Sequence, residues 1–121
     1  MVIKSPVIKS AAACLLALGL TAGCGNTHAV CADTEKTLED FAARTRTLPP
    51  ADAAQWQRAI TDVAGRLEVL ARRADSGRLK RALRETAASY RAAAAGMSRG
   101  DTAALSAAIR GQVPRLDEAC R

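Results

Sequence analysis

Leu67-Glu68-Val69-Leu70-Ala71-Arg72-Arg73-Ala74-Asp75-Ser76-Gly77-Arg78-Leu79-Lys80-Arg81-Ala82-Leu83 decides between one long helix and two. Leu67 and Leu70 close one apolar stripe, and Leu79 and Leu83 open another. Across the nine residues from Leu70 to Leu79 an unbroken α-helix turns by about 900°, which throws the second stripe to the opposite side. A turn is therefore required, and Asp75-Ser76-Gly77 has the residues for one. Gly77 can take a left-handed cap, and Asp75 or Ser76 can accept the first free amides of the next helix.

Working outward, the helix before this turn runs from about Pro50 to Ala74, with Trp56, Ile60, Val63, Leu67, Leu70 and Ala74 on one face. The helix after it carries Leu79, Leu83, Ala87, Tyr90, Ala94 and Met97 at the same spacing. Pro49 and Pro50 end an earlier helix, about Cys31 to Thr47, because proline lacks a backbone donor and restricts the residue before it. Its stripe is Thr34, Leu38, Phe41, Thr45 and Leu48, and Asp33 and Glu35 are expected in its first turn, where acids suit the helix dipole. Ser98-Arg99-Gly100-Asp101 makes the last turn, with Asp101 as the expected cap of a fourth helix that buries Leu105, Ile109, Val113, Leu116 and Cys120. Gly111 and Pro114 predict a kink or split there, since Pro114 removes the hydrogen bond to the Arg110 carbonyl. Alanine and straight-chain helix formers dominate, aromatics are 2% of the chain, and strands have little to be made from. The expected fold is an all-α, up-down-up-down four-helix bundle with a lean, alanine-rich core.

Ahead of the helices the chain opens with Lys4 and Lys9, an apolar run from Ala11 to Leu20, and Leu20-Thr21-Ala22-Gly23-Cys24. Ten residues are too few to span a bilayer, which takes about 20, but they fit a secretory leader. The stretch resembles the lipobox of bacterial lipoproteins, with Ala22, Gly23 and Cys24 in the small, small, cysteine order and Thr21 where that family most often has Leu, Val or Ile. The resemblance covers residues 1–24. It implies cleavage between Gly23 and Cys24, a diacylglyceryl group on Cys24, and anchoring on the extracytoplasmic face of the cell membrane, where several acyl chains exceed the marginal hold of one. The alternative is an ordinary cut after Gly23 that leaves a soluble secreted protein with Cys24 as a spare thiol. The abundance of alanine and arginine resembles, in composition alone, that of small actinobacterial exported lipoproteins.

The organisation that follows is a leader over 1–23, a tether over 24–30 and a single domain over 31–121. Removing the leader leaves 98 residues, and because Lys4 and Lys9 leave with it, 16 basic residues face 12 acidic ones, a net charge of +4. That excess is too mild for a dedicated nucleic-acid binder. With Cys14 discarded and Cys24 acylated, as the resemblance implies, Cys31 and Cys120 remain as an even pair in an oxidising compartment. The choice there is between a disulfide and two free thiols. Four antiparallel helices put the start of the first and the end of the last at one end, so parity favours the bridge. A disulfide closing an 89-residue loop contributes roughly 4 to 5 kcal/mol in the chain-entropy model.

No group of residues assembles a catalytic centre. His28 is the only histidine and lies in the tether, so no imidazole stands in the domain to activate Ser76, Ser89, Ser98 or Ser106. Cys24, His28 and Cys31 have metal-like spacing, but acylation and oxidation leave one ligand where a site needs three or four. Neither a cofactor nor a metal is expected. Glu35 and Glu39 read as a solvated face, Arg99-Gly100-Asp101 as turn punctuation, and Trp56 and Tyr90 as core. The expectation is a non-enzymatic binding or structural module of the cell envelope, with an envelope protein as its partner. A binder of small molecules or cell-wall polymer is the alternative, and an enzyme a distant third. Parity places the basic turn, with Arg72, Arg73, Arg78, Lys80 and Arg81, at the membrane end, where it can meet anionic headgroups at about 1 kcal/mol per charge. The bland reading of those arginines is solubility.

Overall fold

The computed structural model describes residues 25–121, and the leader, Cys14 and Cys24 lie outside them. Four helices follow one another: α1 (Thr27–Thr45), α2 (Ala53–Arg73), α3 (Gly77–Met97) and α4 (Ala103–Ala119). The connections are short, so neighbours run antiparallel, and no strand occurs among the described residues. The expected all-α four-helix bundle is observed.

The central turn forms where the leucine stripes required it, by different chemistry at one residue. Ser76 caps α3 through its side chain, which accepts from Leu79 N at 3.1 Å. Gly77 is the first residue of α3 rather than a left-handed cap, and α2 instead leaves its helix through Ala74 in extended geometry. Asp52 caps α2 by accepting from Gln55 N at 3.1 Å. The turn after α3 closes through a left-handed glycine: Gly100 has φ 74°, and Asp101 N donates to Gly96 O at 2.9 Å. That pattern satisfies the last carbonyls of α3; the residue at the cap position of α4 is Thr102, which makes no side-chain cap bond, rather than the expected Asp101, whose Oδ1 accepts from Ala103 N at 3.0 Å one residue earlier in the turn.

The α2 and α3 stripes are buried as spaced, with Trp56 alone half-exposed. Ile60, Leu67, Leu79, Leu83 and Tyr90 are fully enclosed, each worth about 1.5–3 kcal/mol in removed apolar surface. Phe41 of α1 meets Tyr90 edge to face, with ring centroids 5.4 Å apart. The buried hydroxyls of Thr34, Thr37 and Thr86 each donate to the carbonyl four residues back, at 2.8 Å, and no buried side-chain nitrogen or oxygen among the described residues lacks a partner.

Three expectations change. First, α1 starts at Thr27, so the tether over 24–30 shrinks to Gly25 and Asn26, and Asp33 and Glu35 are not in its first turn. Second, Ile109 and Val113 are exposed, at 41% and 64%. The buried side of α4 is Leu105, Ala108, Leu116 and Ala119, rotated away from those two residues. Third, of the kink or split expected in α4, the split does not occur: one helix runs through Gly111 and Pro114. Pro114 and Arg110 are both exposed, so water can take the carbonyl bond that proline cannot.

Candidate functional site

Antiparallel neighbours create four seams around the bundle, and they are closed unequally. Between α1 and α2, Arg44 pairs with Asp62 at 2.8 Å, Arg66 with Asp40 at 3.3 Å and Arg73 with Asp33 at 3.1 Å. Between α2 and α3 the packing is most extensive, and both Nε and Nη2 of Arg91 donate to the Glu68 carboxylate at 2.6 and 2.7 Å. That fork holds Glu68 below the usual carboxylate range and Arg91 above its own. Between α3 and α4, Arg115 faces Glu85 at 3.6 Å and Arg78 reaches Glu118 at 3.5 Å. Between α1 and α4 no ion pair forms among the described residues; the Cys31–Cys120 disulfide joins them, with Cα atoms 6.0 Å apart.

Beyond the disulfide this fourth seam gapes. Near the cystine it is a cleft of about 390 Å³ bordered by His28, Glu35, Leu38, Leu116 and Asp117. At the opposite end it is a groove of about 340 Å³ lined by Phe41, Trp56, Met97, Leu105 and Ile109, with Thr45, Thr102 and Ser106 also contributing. No ionisable group lines this second groove, although a quarter of the chain is charged. Trp56 Nε1 donates to Pro49 O at 3.0 Å, so its ring stands in the wall with its polar atom satisfied. Tyr90 does not reach the groove: it is 0% exposed, its hydroxyl donates to Gln112 Oε1, and burial pushes its pKa up to about 12.

The cystine end is also where the chain enters the domain. Asn26 N donates to Asp75 Oδ2 at 3.3 Å, Asp75 N donates to Asn26 Oδ1 at 2.9 Å, and Asn26 Nδ2 donates to Arg73 O. The first described residues are thus strapped to the turn between α2 and α3. The basic residues expected at this end are present but unequally available. Arg73 is engaged by Asp33, and Arg78 donates to the Glu118 carbonyl and approaches its carboxylate. Arg72, Lys80 and Arg81 make no ion pair among the described residues.

A family model described as a domain of unknown function, DUF8711, matches residues 25–121. The chain belongs to this family. No curated protein and no solved structure matches it.

Among the described residues there is no cluster of three or more potential metal ligands, and no helix is long and apolar enough to cross a membrane. Ser76 caps α3, while the hydroxyls of Ser89 and Ser98 donate to carbonyls of their own helix. The α1/α4 groove was not predicted as a unit. Its signal lies in the alanines: with Ala108 and Ala119 taken as the core side of α4, Ile109 falls toward the α1 flank.

Proposed function

We propose that this chain is a lipid-anchored protein of the cell envelope, held by Cys24 on the extracytoplasmic face of the membrane and acting as a non-enzymatic binding module. The observation that carries the reading is the strap formed by Asn26. It fixes the residue two positions after Cys24 to Arg73 and Asp75, so a lipid on Cys24 would hold the cystine end directly at the bilayer instead of on a tether. The family domain begins at Gly25, which leaves residues 1–24 free to serve as a removable leader and acylation site. Arg72, Lys80 and Arg81 at the same end supply charges that anionic headgroups would attract within about 8 Å.

Mass spectrometry of the N-terminal peptide from membrane-purified protein tests the anchor. The expected peptide begins at Cys24 and carries a diacylglyceryl mass; a peptide with an unmodified Cys24 rejects the anchor. Headgroup attraction is separable. Binding of the full chain with Cys24→Ala to phosphatidylcholine vesicles is expected to strengthen as phosphatidylglycerol is added and to weaken with salt. Equal affinity for both compositions removes the basic end from the proposal.

A further inference from the structure

We infer that the α2/α3 seam carries a binding site for a phosphate dianion, formed by Arg72, Arg84 and Arg91 around Ala88. The starting observation is an exception in how the bundle uses arginine. Arg44, Arg66, Arg73, Arg78 and Arg115 each reach toward a neighbouring helix, and each meets a carboxylate there. On the α2/α3 seam one open depression is lined by Arg72, Arg84, Arg91, Ala88 and Glu68, so three guanidinium groups share a single carboxylate. Arg91 takes it, and the side chains of Arg72 and Arg84 form no hydrogen bond or ion pair among the described residues. Solubility accounts for arginines on outward faces, but not for three that folding gathers at one seam.

The register follows from the Glu68–Arg91 pair. Because the helices are antiparallel, Arg72, one turn onward from Glu68 on α2, lies across from the Ala87–Ala88 step of α3. Ala88 has only a methyl group to set there, and Arg84 and Arg91 stand one turn to either side of it on the same face. The hydrogen bonds from Arg91, with the charge of Arg72 adding to them, hold Glu68 below the usual carboxylate range, so Arg72 is close enough to be felt across the seam. Guanidinium stays charged at any physiological pH, and three against one carboxylate leave two positive charges unbalanced. A phosphate monoester carries about −1.5 to −2 at pH 7 and presents three acceptor oxygens, one for each guanidinium, whereas a lone carboxylate would balance only half of the excess. Arg91 keeps donors for this role, since its fork uses two of the five N–H groups of a guanidinium.

Position selects the source of the phosphate. Ala88 lies eleven residues along α3 from Gly77, a rise of about 16 Å, which is twice the roughly 8 Å over which headgroup charge is felt. With the cystine end at the bilayer, headgroup phosphates do not reach the site, and its ligand comes from solution as inorganic phosphate or the terminal phosphate of a monoester. That source rests on the envelope reading above, whereas the charge match does not.

The test is isothermal titration of the full purified chain carrying Cys24→Ala, at physiological ionic strength and neutral pH, with inorganic phosphate and with phenyl phosphate. Saturable one-to-one binding is expected from both. Arg84→Gln, at an exposed position, is expected to weaken it at least tenfold while helicity by circular dichroism is unchanged. Lys80→Gln with Arg81→Gln, which removes two charges from the turn, should leave phosphate affinity within about twofold and weaken binding to phosphatidylglycerol vesicles; Arg84→Gln should leave vesicle binding as it is. Absence of saturable phosphate binding overturns the inference, as does equal weakening by the two variants, which marks diffuse attraction. A loss of vesicle binding in Arg84→Gln as large as in the turn variant assigns the phosphate to a headgroup and overturns the solution source. Because the titration uses a chain without Cys24, its failure leaves the anchor standing, and an unmodified Cys24 in the native protein leaves the arginine site standing.

Discussion

The seam between α2 and α3 and the seam between α1 and α4 are built on opposite plans. Both are antiparallel helix pairs in one small domain. In the first, leucines from both sides interlock and Arg91 forks onto Glu68, so the pair is held by many weak terms spread along its length. In the second, one covalent link at one end stands in for the packing, and the other end is left open as an uncharged groove. The difference teaches how a lean core can be stable and still leave a groove open. A disulfide restricts the unfolded chain without requiring side chains to fill the space between the helices it joins, so stability and an open surface can coexist.

The largest test of the contrast is removal of the cystine. Cys31→Ser with Cys120→Ser is expected to cost about 4 kcal/mol, toward the upper end of what an 89-residue loop allows. Thermal denaturation reads this as a fall of roughly 20 °C for a domain this size. Truncation in the other seam comes next. Leu67→Ala or Leu83→Ala, each at a 0% exposed position, should cost about 3 kcal/mol by urea denaturation, with the disulfide still formed.

Tyr90 gives a smaller, pH-resolved effect. Its folded pKa is raised from 10 to about 12 by burial, so folding favours the neutral phenol. That contribution is complete below pH 10, the unfolded value, and is lost as pH rises toward 12, with a ceiling on the order of 2 kcal/mol. Alkaline titration of stability should therefore fall over that window in the wild type and fall less in Tyr90→Phe. The phenylalanine variant itself is expected to lose about 1 kcal/mol at neutral pH, because Gln112 Oε1 loses its donor. Asn26→Ala removes the strap to Arg73 and Asp75 and should cost about 1 kcal/mol, read as a few degrees in melting temperature.

Much of the architecture could be read from residue spacing. The stripes from Ile60 to Leu70 and from Leu79 to Met97 specify their helices because each is strongly periodic and ends at a residue that can cap. The pairing of Cys31 with Cys120 followed from helix parity combined with the lipoprotein resemblance. The rest was hidden for physical reasons. In α4 the buried positions include Ala108 and Ala119, which weigh little in an apolar pattern, so Ile109 and Val113 drew the stripe toward themselves. The start of α1 at Thr27 depends on Asn26 bonding to Arg73 and Asp75, 47 and 49 residues away, and no local signal announces such a contact. The ion pairs at the basic end were hidden for the same reason: Asp33 and Glu118, distant in sequence, fold back onto Arg73 and Arg78.

The measurement that bears most directly on the two-seam account is hydrogen exchange, by mass spectrometry, on the oxidised and the gently reduced chain under native conditions. If the disulfide alone closes the α1/α4 seam, reduction should speed exchange in α1 and α4 by local opening while Ile60 to Leu70 and Leu79 to Tyr90 keep their protection. Equal acceleration in all four helices, or none in any, would contradict it.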